Sequence, residues 1–248
     1  MNKLINFGVV GVGHIGKKHI SCIESDPACN LVSVCDKKGL KYLHSIGLMQ
    51  VDKIYYSSLN QMLSNKEIDV VSICTPNYLH ASMAIECLSK KKHVIIEKPM
   101  ALTVKDAEKI MLKSHEVNKN VFCVMQNRFS PTIKWLKDII KSRRLGKINF
   151  VQANCFWNRN LKYYKQSDWH GKTMLDGGPL YTQFSHFIDI IYWLFGDFSK
   201  IDSNFFKFNA NEYVEFEDSG LIKFMLDKKI FSSLSYSTAI YNKNFESS

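Results

Sequence analysis

Several features that mark other classes of protein are missing from this 248-residue sequence. It has no run of about 18 consecutive apolar residues, the length that a membrane-spanning helix needs. No apolar segment with a small-residue cleavage site stands ahead of the first predicted strand, so we expect no secretory signal peptide. The sequence therefore predicts no association with a membrane. Its 46% of hydrophobic residues are enough for one large core or two smaller ones.

The cysteines do not form the pairs that a disulfide framework or a zinc site requires. The chain has seven of them, an odd number, and no two have Cys-x-x-Cys spacing. Several lie inside apolar segments, where a reduced thiol behaves as a small hydrophobic side chain. We therefore expect free thiols, no metal site and a cytoplasmic protein.

Arginine is scarce for so basic a chain. The formal net charge is +10, but only four of the 33 basic residues are arginine, and the lysines are dispersed along the sequence. Proteins that bind nucleic acids concentrate arginine, whose planar guanidinium forms paired hydrogen bonds with phosphates and bases. The composition argues against a nucleic-acid partner and leaves open a basic cleft for a small anion.

Short apolar segments alternate with amphipathic ones through residues 1–122. The apolar segments are rich in β-branched residues, as buried parallel strands are, and the segments between them have helical length. Capping-box spacing at Ser58 with Gln61 and at Thr103 with Asp106 marks two helix starts. We predict an α/β domain with a doubly wound, parallel Rossmann sheet. Its predicted strands are Ile5–Val10, Asn30–Cys35, Val70–Cys74, Val94–Ile96 and Val121–Met125.

The pattern changes in the second half, and residues 123–248 are predicted to form an α+β domain. Pro131 opens one helix, and another follows Asp176-Gly177-Gly178-Pro179. Consecutive strands with short turns then indicate a mostly antiparallel sheet. Residues 242–248 resemble the approach to a further strand, so we expect this sheet to be truncated as given, and whether the chain is a fragment stays open. The predicted strands are Ile148–Phe156, Val214–Phe216, Gly220–Leu226 and Ile230–Ala239.

A glycine-rich turn follows the first strand directly. In Gly11-Val12-Gly13-His14-Ile15-Gly16 the glycines allow a tight turn, a close approach of the backbone to a pyrophosphate, and helix-to-strand packing. Asp36, at the end of the second strand, could accept hydrogen bonds from ribose hydroxyls and would repel a 2′-phosphate. These residues predict NAD as the cofactor, with NADP less favoured. A glycine turn that binds no nucleotide is the alternative.

Two further strand ends share the same edge of the predicted sheet. Thr75-Pro76-Asn77 ends one strand, with Asn77 placed to cap the next helix and His80 one turn into it. All are candidate cofactor contacts, although His80 is also a candidate for simple packing. Glu97-Lys98-Pro99 ends the next strand, where partial burial beside a cationic nicotinamide would lower the pKa of a lysine towards that of a general base. A surface ion pair of Glu97 with Lys98 is the alternative.

With these motifs the chain resembles the Gfo/Idh/MocA family of NAD(P)-dependent oxidoreductases, and the resemblance covers essentially the whole chain. It implies hydride transfer between a sugar or cyclitol hydroxyl and the nicotinamide. It also implies that Lys98 is a catalytic acid/base or substrate ligand and that His186 assists it. The segments that carry the resemblance are GVGHIG, SICTPNYLH and EKP, followed by QNRF, WHG and LDGGPLYTQFSHFIDIIYWLFG.

One position departs from the family pattern. The helix after the double glycine usually presents an aspartate four residues before the histidine, and here that position is Thr182, followed by Gln183. Members that resemble UDP-N-acetylglucosaminuronate 3-dehydrogenases, enzymes of lipopolysaccharide biosynthesis, carry an Asn-Gln pair there, and this chain shares the glutamine but not the preceding amide. The resemblance therefore implies a nucleotide-activated amino sugar or its uronate as substrate, bound by Thr182, Gln183 and His186.

The resemblance implies further contacts outside this helix. In the loop FWNRNLKYYKQSDWHG, four aromatic side chains offer flat faces to a sugar or uracil ring: Trp157, Tyr163, Tyr164 and Trp169. Four basic side chains of the same loop could meet a diphosphate or carboxylate: Arg159, Lys162, Lys165 and Lys172. The QNRF segment supplies a candidate cofactor contact, Gln126, and two candidate substrate contacts, Asn127 and Arg128. The alternative for the loop is that its aromatic side chains pack only on their own domain, and the alternative for His186 is that it is an ordinary core histidine.

We therefore predict an NAD-dependent sugar dehydrogenase that oxidises a secondary hydroxyl, C3 of the sugar by resemblance. We expect a homo-oligomer that assembles through the second sheet. Two other functions stay open: a redox-neutral glycosidase that retains its NAD, and a non-catalytic NAD-binding regulator. The presence of both Lys98 and His186 argues against the regulator.

Overall fold

The structure, a computed structural model, describes residues 3–208 and 212–247. The parts of the predicted domains that fall on residues 1–2, 209–211 and 248 lie outside the described residues. The chain divides into two compact units, Met1–Val124 and Met125–Ser248.

The first unit is built on a six-stranded parallel sheet. Its strands are β1 (Ile5–Val10), β2 (Cys29–Cys35), β3 (Tyr55–Tyr56), β4 (Val70–Ile73), β5 (His93–Ile96) and β6 (Val121–Cys123). They lie in the order β3-β2-β1-β4-β5-β6, and every neighbouring pair is parallel. The chain order reverses between β1 and β4, which is the switch point where doubly wound sheets bind their ligands. The predicted fold of this half is confirmed.

Helices connect these strands, and two of them begin where their caps predicted. They are α1 (His14–Ser25), α2 (Leu40–Ser45), α3 (Leu59–Leu63), α4 (His80–Ser89) and α5 (Val104–Val117). Ser58 Oγ accepts a hydrogen bond from Gln61 N at 3.4 Å, at the start of α3. Thr103 Oγ1 accepts one from Asp106 N at 3.1 Å, at the start of α5. Both predicted caps are confirmed.

Apolar side chains cover both faces of this sheet. Val9 and Val10 of β1 lie in different hydrophobic clusters, because successive side chains of a strand point to opposite faces. Ile20 of α1 packs with Val9, and Ile110 of α5 lies in the cluster of Val10. This two-sided burial explains why the strands are nearly continuous runs of apolar residues.

The second unit is an α+β structure with a five-stranded sheet. Its helices are α6 (Pro131–Lys141), α7 (Leu161–Lys165), α8 (Thr173–Asp176) and α9 (Ser185–Phe195). Its strands are β7 (Phe150–Phe156), β8 (Phe198–Phe206), β9 (Ser219–Leu226), β10 (Ile230–Ser237) and β11 (Glu246–Ser247). The order is β11-β7-β10-β9-β8, and only β7 and β10 pair in parallel. The prediction of a mostly antiparallel sheet is confirmed.

The two faces of this second sheet differ in burial. On one face Leu234 and Phe224 pack with Ile191 of α9 in the core of the unit. On the other face Phe150 and Phe231 are 53% and 49% exposed and stack on each other, with ring centroids 5.8 Å apart. We call this second surface the open face.

One predicted strand of the second unit is wrong. Residues 214–216 form no strand in the described chain, although Val214 and Phe216 are buried. Glu215 N instead donates to Gly171 O at 2.8 Å, so its backbone bonds to a loop. The two apolar side chains pack around Tyr164 in a small cluster of their own. The apolar residues Val214 and Phe216, on either side of Glu215, are therefore buried by packing against a loop and do not mark a strand.

The structure also bears on the cysteines, on metal binding and on membrane-spanning helices. All seven cysteines are free, and burial raises the pKa of Cys35 and of Cys74 to about 12. Within residues 3–208 and 212–247, no group of three or more metal-binding side chains is present. The same residues include no helix that is long and apolar enough to cross a membrane.

Candidate active site

The loops that follow β4 and β5 start from fixed positions at the carboxyl-terminal edge of the first sheet. Backbone hydrogen bonds extend the parallel ladder into both loops. Cys74 N donates to Val10 O at 2.8 Å, and Glu97 N donates to Ile73 O at 3.0 Å. The glycine turn leaves β1 at the same edge, where open α/β sheets bind ligands.

Each glycine of the turn between β1 and α1 has a different role. Gly11 has a φ of +84°, and a Cβ there would lie 2.7 Å from Cys74 O. A Cβ on Gly16 would lie 2.1 Å from Gly11 O, so α1 packs against the turn only without a side chain. A Cβ on Gly13 would meet nothing within 4 Å, and Gly13 is exposed. The open space over Gly13 is the cradle that a pyrophosphate needs.

The amino-terminal end of α1 lies beside this open space. Gly13 precedes the helix without a side-chain cap, and the first turn contains no acidic residue. His14 is exposed there and Ile15 is half-buried. N–H groups at the positive end of a helix dipole attract an anion when no side chain occupies them. The turn therefore fits the diphosphate of a dinucleotide.

Asp36, after β2, accepts a hydrogen bond from the backbone of the glycine turn. It is 8% exposed, its Oδ2 accepts from Val12 N at 2.7 Å, and its Oδ1 accepts from Lys38 N at 2.8 Å. A carboxylate oxygen can accept two hydrogen bonds, so each keeps capacity for a ribose hydroxyl. A 2′-phosphate would meet the negative charge instead. The geometry fits a dinucleotide whose ribose is unphosphorylated.

The loop after β4 differs from its prediction in one respect. Asn77 does not cap α4, because a short 3₁₀ helix, Asn77–Leu79, comes first with Pro76 before it. His80 is fully buried, and its ring nitrogens lie 2.8 Å from Thr75 O and 2.7 Å from Pro99 O. Burial lowers the pKa of His80. His80 therefore links this loop to the one after β5, and its direct contact with a cofactor stays a prediction.

The two charged residues of the turn after β5, Glu97 and Lys98, differ in burial. Glu97 is 7% exposed, Lys98 is half-buried, and the peptide bond between Lys98 and Pro99 is cis. Glu97 Oε1 lies 3.0 Å from His19 Nε2, and Oε2 accepts from Lys98 N at 3.2 Å. Burial is the largest influence on the pKa of Glu97 and acts to raise it, but the hydrogen bond and charge of His19 and the N–H and charge of Lys98 together outweigh burial, so the net pKa is lowered. Glu97 is thus an ionised group turned into its own unit.

In the second unit, the double glycine Gly177-Gly178 leads to the helix that carries His186. Both glycines have positive φ, +87° and +94°. The Thr182 hydroxyl donates to Gly178 O at 2.9 Å and also contacts Gln183 Oε1. Gln183 Nε2 donates to Tyr163 OH at 2.9 Å. These bonds hold the Thr182-Gln183 pair beside the start of α9, where His186 is 9% exposed.

Aromatic side chains of the loop after β7 surround Arg159. Its guanidinium carbon lies 5.0 Å from the Trp157 ring centroid and 5.2 Å from that of Tyr163. Nη1 donates to Asn158 O at 2.8 Å, and the buried Nε has no hydrogen-bond partner among the described residues. Arg159 also lines a cavity of about 480 Å³ in this unit. A half-buried cation beside a cavity fits an anionic group.

Tyr164 and Trp169 lie in different environments from one another. Tyr164 is 3% exposed and belongs to a small apolar cluster, so its role as a substrate contact stays a prediction. Trp169 is half-buried, with its ring centroid 4.0 Å from that of His170. Tyr163 is the residue that reaches both Gln183 and Arg159, and burial raises its pKa to about 12. The sequence offered Tyr163 as an aromatic face for the substrate, but no pattern indicated its contacts with Gln183 and Arg159.

The residues of the QNRF segment lie on a 3₁₀ helix, Gln126–Phe129. Gln126 is exposed and Asn127 is half-buried. Arg128 Nε donates to Asp189 Oδ2 at 2.7 Å, and Nη2 donates to the other carboxylate oxygen. This bidentate pair ties the 3₁₀ helix to α9. Arg128 thus has a structural role, and the ligand contacts of all three residues stay predictions.

Comparison with known proteins identifies both halves of the chain. Residues 5–125 match the family model described as "Oxidoreductase family, NAD-binding Rossmann fold", and residues 133–247 match "GFO/IDH/MocA C-terminal domain". The chain is 31% identical to the WlbA dehydrogenase from Bordetella pertussis, solved with NADH and UDP-GlcNAcA. The match has a TM-score of 0.91 and covers 100% of this chain and 70% of that one. The chain belongs to the GFO/IDH/MocA oxidoreductase family.

This GFO/IDH/MocA chain is also similar to proteins that are named for different reactions. The WlbA dehydrogenase from Chromobacterium violaceum, also solved with NADH and UDP-GlcNAcA, is 30% identical with a TM-score of 0.90, and the match covers 100% of this chain and 71% of that one. The 2,7-anhydro-N-acetylneuraminate hydratase of Escherichia coli is 29% identical over 78% of this chain and 50% of its own length. The chain spans about half the length of the first curated relatives that it matches.

Substitution of Gly13 should affect cofactor binding, whereas substitution of Gly16 should affect the stability of the fold. Gly13→Val places a side chain in open space, so we expect the fold to persist while NAD affinity falls by roughly tenfold or more, about 1.4 kcal/mol. Gly16→Val places Cβ against Gly11 O, so we expect a lower melting temperature. NAD titration and thermal unfolding of both variants measure this. Wild-type NAD affinity in Gly13→Val would contradict the phosphate cradle.

Asp36 should set the preference for NAD over NADP. Asp36→Asn keeps an acceptor for Val12 N but removes the charge. We therefore expect weaker NAD binding and a smaller ratio of NAD affinity to NADP affinity. Hydrogen bonds to a charged group contribute about 1.5–3 kcal/mol, so the NAD loss should be roughly tenfold or more. Asp52→Asn, which changes an exposed carboxylate paired with His44, is the control. An unchanged ratio in Asp36→Asn would refute the ribose assignment.

Proposed function

We propose that this chain is an NAD-dependent dehydrogenase that oxidises a secondary hydroxyl, at C3, of a nucleotide-activated amino sugar or its uronate. The observation that carries the proposal is the position of Lys98, at the carboxyl end of β5 on the edge that also holds the glycine turn. Two WlbA dehydrogenases solved with NADH and UDP-GlcNAcA, at 31% and 30% identity, support this class of substrate.

Lys98 is the proposed proton acceptor. Bound NAD supplies a hydride acceptor, and the protein must handle the proton. In its neutral form the Lys98 amine would take the proton of the substrate hydroxyl, and the carbon that bears this hydroxyl would become a carbonyl, with bound NAD supplying the hydride acceptor. The products are a keto sugar, NADH and a protonated lysine. Glu97 does not serve as this base, because its carboxylate is buried and bonded to His19.

Residues of the second unit are proposed to bind the sugar nucleotide. We assign His186 to a hydrogen bond with the substrate and Arg159 to its diphosphate or carboxylate. None of the ion pairs among the described residues includes Arg159, and its buried Nε lacks a hydrogen-bond partner there. A guanidinium in this situation is a strong site for an oxyanion.

A reaction without net oxidation is the second candidate. One relative is named a hydratase, and hydration changes no overall oxidation state. In such a reaction Lys98 would take a proton and return it within one turnover, and no NADH would accumulate. General acid–base catalysis by one group in both directions makes the same residues suitable.

Product analysis distinguishes the candidates. The purified chain is incubated with NAD and, separately, with a neutral UDP-amino sugar, its uronate, an unactivated sugar and inositol. NADH and a keto sugar formed from a nucleotide-activated substrate support the first proposal. A new sugar product without NADH supports the second. NADH formed from inositol alone would overturn the assignment of the substrate class.

Substitutions should rank the candidate residues. We expect Lys98→Met to lower kcat by about 10²–10⁴ while NAD affinity stays nearly unchanged, because other groups bind the cofactor. His186→Asn should cause a smaller loss, since it assists the reaction. Thr182→Ala should cost least, because its hydroxyl bonds to Gly178 O within its own unit. Steady-state kinetics test this order, and a loss in Thr182→Ala equal to that in Lys98→Met would place the base elsewhere.

We also propose that two copies of the chain associate through the open face. Phe150, Phe231 and Leu221 are 53%, 49% and 42% exposed on it. An exposed ion pair of Lys223 with Asp202, at 2.8 Å, lies on the same face. Copies related by a two-fold axis can set such opposite charges against each other. Each large apolar side chain buried between them would contribute roughly 1.5–3 kcal/mol.

A charge on the open face should abolish this association. We expect wild-type protein to sediment as a dimer and Phe231→Lys to sediment as a monomer, because an ammonium would have to be buried without a partner. Phe122→Lys is the matched control, since Phe122 is 56% exposed on β6 of the first unit. Analytical ultracentrifugation measures both. A monomeric wild type, or a dimeric Phe231→Lys, would overturn this interface.

A further inference from the structure

Two histidines that the proposed reaction leaves unused, the half-buried His19 and the fully buried His80, contact the residues on either side of Lys98. His19, on α1, contacts Glu97, the residue before it. His80, the first residue of α4, contacts Pro99, the residue after it. A lysine side chain is long and flexible, so the protein fixes the position of its amine largely through the backbone from which it starts.

The His19 network joins three elements of the first unit. His19 Nδ1 lies 2.6 Å from Ser72 Oγ on β4, and its Nε2 lies 3.0 Å from Glu97 Oε1. The order Ser-His-Glu resembles a hydrolytic triad, but Ser72 is 1% exposed inside the sheet and a nucleophile must reach its substrate. The second oxygen of Glu97 accepts from Lys98 N at 3.2 Å. The network therefore ends on the backbone of Lys98.

His80 joins the same backbone from the other side. It is 0% exposed, with Nδ1 2.7 Å from Pro99 O and Nε2 2.8 Å from Thr75 O. Both partners are carbonyl oxygens, which only accept hydrogen bonds. A neutral ring therefore donates to one of them and a protonated ring to both. In this position His80 bridges the loops that follow β4 and β5.

We propose that His19 and His80 are positioning residues that hold Lys98 in the geometry needed for proton transfer. This inference rests on the proposed role of Lys98 as the base. A misplacement of about 1 Å at a reacting group can cost roughly 10²-fold in rate. The loss of either histidine should therefore lower turnover, while the glycine turn and Asp36 continue to bind the cofactor.

Kinetics of matched variants test the proposal. We expect His19→Leu and His80→Leu each to lower kcat by roughly 10²-fold, with NAD affinity nearly unchanged in His19→Leu, since His19 is not among the candidate cofactor contacts. His19→Gln and His80→Gln keep an amide that can donate a hydrogen bond, so part of the activity should return. His44→Leu is the control, because His44 pairs with Asp52 in the same unit at 3.1 Å and does not contact this turn. Wild-type kcat in both folded leucine variants would overturn the proposal.

A second readout does not depend on the substrate. Reductive methylation with ¹³C-formaldehyde labels lysine amines, and Lys98→Met identifies the Lys98 resonance by its loss. We expect the chemical shift and titration midpoint of Lys98 to change in His19→Leu and His80→Leu and to stay constant in His44→Leu. Where a leucine variant does not fold, its glutamine counterpart is measured instead.

The two readouts separate this inference from the proposed function. An unchanged Lys98 titration in folded histidine variants would overturn the positioning role. A changed titration supports that role even if wild-type protein oxidises no sugar. Such a pair of results would refute the proposed function alone.

Discussion

The backbone hydrogen bond from Glu97 N to Ile73 O fixes the backbone from which Lys98, the proposed base, extends. It continues the parallel pairing of β4 and β5 beyond the last strand residue, so Lys98 starts from a rigid ladder. The bond from Cys74 N to Val10 O does the same for β1 and β4. Because every strand of this sheet runs in one direction, the glycine turn, Asp36 and Lys98 lie at one edge of the sheet, and we propose that they bind the phosphates, bind the ribose and take the proton, respectively.

Burial of polar groups around this edge indicates a function beyond stability. An unpaired polar group costs free energy when it leaves water, and a buried charge costs more. The chain nevertheless buries Ser72, His80 and Glu97 close to one half-buried lysine, and each of the three has a hydrogen-bond partner. An apolar core of the same size would need none of these groups. Their arrangement restrains the backbone on both sides of Lys98.

Local rules predicted most of the first unit, and non-local contacts account for what was missed. The glycine turn and the cap at Ser58 depend on residues a few positions apart, so the sequence alone indicates them. The contact of His19 with Glu97 joins residues 78 positions apart, and no short pattern reveals it. Tyr163 and Tyr164 are chemically identical neighbours, yet only Tyr164 is buried in an apolar cluster. Tertiary packing, which local patterns do not contain, decides between them.

Deuterium at C3 of UDP-N-acetylglucosaminuronate provides the most direct measurement of the central claim. The labelled sugar is incubated with wild-type protein and NAD, and the molecular masses of the reduced cofactor and of the sugar product are measured by mass spectrometry. We expect the deuterium in NADH and a keto sugar that has lost it, because the carbon that loses its hydride is the one whose hydroxyl gives its proton to Lys98. NADH without deuterium, or a sugar product that keeps the label at C3, would contradict hydride transfer from this carbon.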